Sequence, residues 1–224
     1  MGQIQLTSND GHQFSAYEGS PSSEVKGGIV LIQEIFGVNS HIRSVVDGYA
    51  DEGYYTIAPG LFDRIEENVE LGYEAEDMQK GIQFVTKMKP ENTLSDIAAV
   101  TEFIKEKYPQ RKIATIGYCF GGTMAWVSAG ALDAISCSVC YYGGQIASLA
   151  DRTPKCPTLL HFGELDAHIP MSDVDKIRLA QPNAEVLVYE GVKHGFNCDA
   201  RSDYDKDAAE LAKQRSLAYL MKHL

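Results

Sequence analysis

The sequence predicts an α/β protein: a mostly parallel central sheet with an N-terminal antiparallel hairpin and helices on both faces. Three observations predict it. Apolar runs of strand length alternate with segments of helical periodicity along the 224 residues. Most of those runs are apolar throughout, as strands buried on both faces require. The polar residues of most chemical interest, Glu34, Cys119, Asp166 and His194, all fall just past strand ends, at the edge where open α/β sheets build their sites. Length and apolar content (44%) suit one domain over residues 1–224.

In chain order, Ile4 to Thr7 and Gln13 to Tyr17 flank Asn9-Asp10-Gly11, whose Asp-Gly pair signals a hairpin. Gly27 to Gln33 is a central strand, and Asn39 caps a helix running to about Glu52. Tyr54 to Ala58 is the next strand, stopped by Pro59-Gly60 and followed by an acidic connection to Gly72. Two helices come next. The first carries Met78, Ile82, Val85 and Met88 on one face, a stripe expected to pack in the core, and Pro90 ends it. The second starts near Thr93 and carries Leu94, Ile97, Val100 and Ile104. Strands follow at Ile113 to Tyr118, Ala134 to Tyr142, Pro157 to Phe162 and Ala184 to Tyr189, with helices after the first, third and fourth. The last helix, Asp205 to His223, presents Ala208, Leu211, Leu217 and Leu220.

A net charge of −11 without clustered Lys or Arg argues against nucleic acid or an acidic membrane as partner. No apolar run reaches the length of a membrane span, and the first residues lack a signal-peptide pattern, so a cytoplasmic location is expected. Five irregularly spaced cysteines suit reduced thiols better than a disulfide framework. Cys137-x-x-Cys140 lies in a strand, where side chains three apart point to opposite faces, so a shared metal is not expected.

The stretch from Ile113 to Gly122 is a strand breaking into Gly-x-Cys-x-Gly-Gly and then a helix. A turn that sharp needs small neighbours two before and two after its centre, and Gly117 and Gly121 stand there. Cys119 would project from the turn at a helix N-terminus, which favours thiolate over thiol. A buried free cysteine is the alternative for this motif alone. A thiol nucleophile also needs a base, and the base an orienting acid. Cys119, His194 and Asp166 fill these roles in the chain order nucleophile, acid, histidine of α/β-hydrolases. Glu164 is the rival acid; His161 and His168 are the rival histidines, the first inside a strand and the second too close in sequence to Asp166.

Gln33-Glu34-Ile35-Phe36-Gly37, Gly117-Tyr118-Cys119-Phe120-Gly121-Gly122, Gly163-x-x-Asp166 and His194-Gly195-Phe196 together resemble the motifs of the dienelactone hydrolases, or carboxymethylenebutenolidases, over nearly the whole chain. The resemblance implies an α/β-hydrolase fold and opening of a carboxylate-bearing lactone in bacterial breakdown of aromatic compounds. It implies a monomer or weak homo-oligomer with no metal and no organic cofactor. Cys119 would attack the carbonyl, His194 and Asp166 would manage protons, and the backbone N–H groups of Ile35 and Phe120 would form the oxyanion hole. Glu34 would hold the resting thiol and control its ionisation. Two arginines are expected at the substrate carboxylate; Arg201 would serve for one, but residues Val69 to Lys89 contain none, leaving Arg64 or Lys80 for the other. A carboxylesterase of different specificity, or a catalytically silent ligand binder, are the alternatives on the same fold.

Overall fold

A computed structural model describes residues 1–224. Eight strands form one sheet: β1 (Gly2–Thr7), β2 (Gln13–Gly19), β3 (Gly27–Ile32), β4 (Tyr54–Pro59), β5 (Ile113–Tyr118), β6 (Ile135–Tyr141), β7 (Thr158–Gly163) and β8 (Glu185–Tyr189). Their order across the sheet is β1-β2-β4-β3-β5-β6-β7-β8. The β1–β2 and β2–β4 pairs are antiparallel, and every later pair is parallel. Each residue of β3, β4, β5 and β7 is buried, as the unbroken apolar runs predict.

Six helices cover the sheet: α1 (Ser40–Asp51), α2 (Ala75–Lys87), α3 (Pro90–Lys107), α4 (Phe120–Ala131), α5 (Met171–Ala180) and α6 (Lys206–His223). Asn39 caps α1 through its side chain, which accepts from the Ile42 N–H, and Asp205 caps α6 by accepting from Ala208. No helix is long and apolar enough to cross a membrane.

Three expectations change. Pro90 opens α3 rather than closing the helix before it, because a proline at the first helical position forfeits only an N–H that has no intrahelical acceptor. In α6 the buried face is Ala208, Ala212, Ser216, Tyr219 and Leu220, while Leu211 is exposed; the Ser216 hydroxyl joins Tyr141 and His161 in a buried hydrogen-bond network. In α2 only Gly81 and Phe84 are buried. Gly81 lets the helix approach the Ile35 carbonyl so closely that a Cβ would stand 2.3 Å from that oxygen, and Phe84 stacks on Phe62. None of Met78, Ile82, Val85 and Met88 is therefore buried: Val85 and Met88 pack part-buried against the Phe62–Val69–Phe84 cluster, and Ile82 is exposed.

The β5–α4 turn is a sharp elbow. Cys119 has φ 55 and ψ −116, a left-handed conformation unfavourable for any residue with a side chain. Close backbone contacts hold it there: a Cβ on Gly117 would lie 1.9 Å from the Gly121 carbonyl oxygen, and one on Gly121 would lie 2.2 Å from that of Ile32. Gly121→Ala is expected to lower stability by about 3 kcal/mol through overpacking; urea denaturation of the variant checks this, and an unchanged midpoint would refute it.

Candidate active site

Cys119, His194 and Asp166 come from three different strand ends and meet. Cys119 is the N-cap of α4, so its sulfur stands at the positive end of a twelve-residue helix. Asp166 lies in the turn after β7 and His194 in the turn after β8. Backbone hydrogen bonds from Glu164 to Tyr189 (2.9 Å) and from Leu165 to Val192 (2.8 Å) stitch those turns together. His194 Nε2 is 3.3 Å from Cys119 Sγ, and its Nδ1 is 2.7 Å from Asp166 Oδ2. The second carboxylate oxygen, Asp166 Oδ1, accepts the His168 N–H at 2.8 Å, an Asx turn that stops the acid from rotating.

Burial disfavours charge on His194, but the hydrogen bonds from Asp166 and Cys119 outweigh it and raise the histidine to about 10. The arrangement can therefore keep an imidazolium beside the sulfur at neutral pH. The other cysteines differ. Cys137 and Cys140 are buried, and burial pushes both thiols up to about 12; they are free core thiols, not a metal pair. The rivals fall away too. His161 is fully buried between Tyr189 and Ser216, with burial lowering it to about 3, and Glu164 accepts from the Gly191 N–H instead of facing a histidine.

Ile35 and Phe120 both line the cavity that opens onto Cys119. Phe120 is the first residue of α4, where the N–H has no acceptor within the helix. Glu34 is fully buried beneath them, and neither carboxylate oxygen has a hydrogen-bond partner. The sulfur faces His194 rather than Glu34. Arg201 Nη1 lies 3.8 Å from Glu34 Oε1, and its guanidinium sits over Phe36 at 5.9 Å. Glu34, His41 and Cys198 have potential ligand atoms within 4.8 Å of one another and could hold a cation, although Arg201 already brings positive charge to that carboxylate. Burial, followed by the Glu34 charge, pushes the Cys198 thiol up to about 12.

Of the three candidate cations, only Arg201 reaches the cavity. Arg64 instead grips the buried Asp96 through Nε and Nη2 (2.8 and 2.7 Å) and Asp10 through Nη1 (2.8 Å), tying the β1–β2 turn to α3. Lys80 is on the solvent side of α2, paired with Glu66 at 3.0 Å. Both are corrections: the acidic connection and α3 supply nearer carboxylates than any substrate could. Four residues the sequence reading did not assign to the site complete its lining, namely Met78, Ile82, Val85 and Met88. Tyr142 is also new, with φ 38 and its ring 5.0 Å from that of His194. His168 lines the cavity as well, its ring edge-on to His194 at 5.1 Å.

A mostly parallel sheet with this elbow, and with an acid and a histidine in the turns after β7 and β8, defines an α/β-hydrolase fold with cysteine at the elbow. The chain matches the dienelactone hydrolase family over residues 14–224 and belongs to it. It is 32% identical to the carboxymethylenebutenolidase of Pseudomonas putida over 97% of this chain and 94% of that one. A Synechocystis protein assigned as a carboxymethylenebutenolidase is 34% identical over 84% of this chain and 82% of its own. A crystal structure of a Klebsiella pneumoniae protein assigned to the dienelactone hydrolases superposes with a TM-score of 0.85 at 27% identity, covering 98% and 99% of the two chains. The protein is a hydrolase acting on ester or lactone bonds.

Two outcomes test this geometry. Arg64→Ala should cost about 3 kcal/mol in a denaturant melt by leaving Asp96 buried without its partner, and should leave Cys119 alkylation as fast as in the wild type. The His194–Asp166 pair raises the folded-state histidine, so its stabilisation is full below pH ~6.5 and is lost as pH rises through about 10. The stability gap between wild type and Asp166→Asn should accordingly narrow as pH rises from 6 to 10.5; a constant gap would refute it.

Proposed function

We propose that Cys119 is the nucleophile, His194 the acid and base, and Asp166 its orienting partner in hydrolysis of a lactone or ester through a thioester intermediate. Ring opening of a dienelactone is the leading reaction. The single observation carrying this reading is the continuous contact from Cys119 Sγ through both ring nitrogens of His194 to Asp166, at 3.3 and 2.7 Å. The raised histidine favours a thiolate–imidazolium pair before substrate arrives.

The thiolate sulfur adds to the carbonyl carbon, and the carbonyl π electrons move onto oxygen. That oxyanion is held by the N–H groups of Phe120 and Ile35, a donor of this kind contributing about 3 kcal/mol. Collapse breaks the C–O bond, and the departing oxygen takes the proton on His194 Nε2. In a lactone this oxygen stays tethered to the acyl chain. Water then gives a proton to His194 and its oxygen to the thioester carbon; the second collapse returns the thiolate and releases the carboxylic acid. Arg201, 11% exposed at its side chain, is the cation available to one substrate carboxylate. Glu34, without a hydrogen-bond partner beneath the elbow, is the group to which the resting thiol can turn, and pairing with Arg201 would withdraw it. We place the reaction in the cytoplasm, consistent with five unpaired cysteines.

Cys119→Ala should lower kcat/KM for dienelactone or an activated aryl ester by more than about 10³-fold. Rapid-quench mass spectrometry of the wild type should find the acyl group on the Cys119 peptide. A variant retaining most of its activity, or an acyl group on another residue, would sink the mechanism.

A further inference from the structure

The reaction leaves one wall of the cavity without a task. Met78, Ile82, Val85 and Met88 line it from α2 and its C-cap, while Phe120 and Met124 of α4 also line it. Ile82 is 52% exposed, an unusual setting for a branched aliphatic side chain. It is not a packing residue of the helix, because Gly81 and Phe84 make the buried contacts. The cavity measures ≈ 550 Å³, within the range that encloses a drug-sized ligand. Three lining methionines, Met78, Met88 and Met124, give this surface side chains that adapt to differently shaped apolar groups.

The charge distribution points the same way. Arg201 is the cavity's one Lys or Arg, and it stands 3.8 Å from the buried Glu34 carboxylate, which offsets part of its charge. Its guanidinium is also wedged against Gly195, where a Cβ would lie 2.6 Å from Nη1. It can meet a single carboxylate. An anionic group laid along α2 would lose water and find no cation in return, since Lys80 faces solvent and pairs with Glu66.

We propose that the α2 wall is an apolar subsite for a neutral alkyl or aryl arm of the acyl or alcohol part. The preferred substrates are then apolar esters or lactones carrying at most one carboxylate. This deepens the reading of Cys119 as an ester-cleaving nucleophile and rests on it. Burial of each additional methylene against the wall raises transition-state and ground-state binding together, so the gain is read in kcat/KM.

The test is a chain-length series. For 4-nitrophenyl acetate, butyrate and hexanoate, and for a matching series of alkyl acetates, kcat/KM of the wild type should rise roughly three- to fourfold per methylene in at least one series. In the Met78→Gln/Ile82→Gln double variant, shown folded by its thermal melt, the hexanoate-to-acetate ratio should fall by at least about tenfold. A flat wild-type response in both series overturns the subsite, as does a gradient that the double variant keeps. N-alkyl iodoacetamides of increasing chain length provide a readout independent of turnover. Their alkylation of Cys119, followed by peptide mapping, should accelerate with chain length in the wild type and not in the double variant; no acceleration overturns the subsite even if no ester is cleaved. Activity surviving in Cys119→Ala would instead sink the mechanism, leaving the chain-length response as a separate result.

Discussion

The whole site depends on backbone crowding at the β5–α4 elbow. Cys119 occupies a left-handed conformation because the peptides around it approach to distances that only hydrogen atoms on Gly117 and Gly121 permit. That conformation ends a buried strand and starts a helix within one residue. It lifts the sulfur off the sheet and leaves the first N–H of α4 without an intrahelical acceptor. The position of the Cys119 sulfur, its place at a helix N-terminus and the free N–H of Phe120 are thus consequences of the same strained residue. The strain is tolerated because β5 lies at the centre of the sheet, between β3 and β6, where its neighbours leave it no room to relax.

The surroundings of Cys119 differ from those of the other four cysteines. Burial raises the thiols of Cys137, Cys140, Cys156 and Cys198. Cys119 instead has an imidazole at 3.3 Å, itself held protonated against its burial by Asp166 and by the sulfur. Glu34 adds a third charge nearby without a hydrogen bond of its own, so the site contains a carboxylate whose balance is struck across 3.8 Å with Arg201.

The mostly parallel sheet with its antiparallel N-terminal hairpin, and the meeting of Cys119, Asp166 and His194, were legible because they follow from local features: unbroken apolar runs, two glycines at fixed offsets, and polar residues just past strand ends. Glu164 ranked behind Asp166 because it falls nearer the strand end, and in the structure it accepts from the Gly191 N–H instead. The cations were not. Whether Arg64 points into a cleft depends on Asp96, thirty-two residues away, and an isolated arginine in an acidic loop carries no sign of that partner. The α2 stripe misled for a different reason. Helical periodicity reports that one face is apolar but not whether it meets protein or an opening, and the buried face here is marked only by a glycine and one phenylalanine. Tyr142 left no local trace, since its positive φ is imposed by the turn after β6 and it is neither Gly nor Asn.

The anchoring of α2 by Gly81 against the Ile35 carbonyl and by Phe84 against Phe62 has an evolutionary consequence. The residues that fix the helix to the oxyanion-side loop differ from those that look into the cleft, though they are interleaved along the same thirteen positions. Substitutions at 78 and 82 can therefore accumulate without disturbing how the helix is seated. Substrate range in this lineage can drift by changing one face of a single helix while the thiol, the acid and the histidine, in the turns after β5, β7 and β8, stay under separate selection.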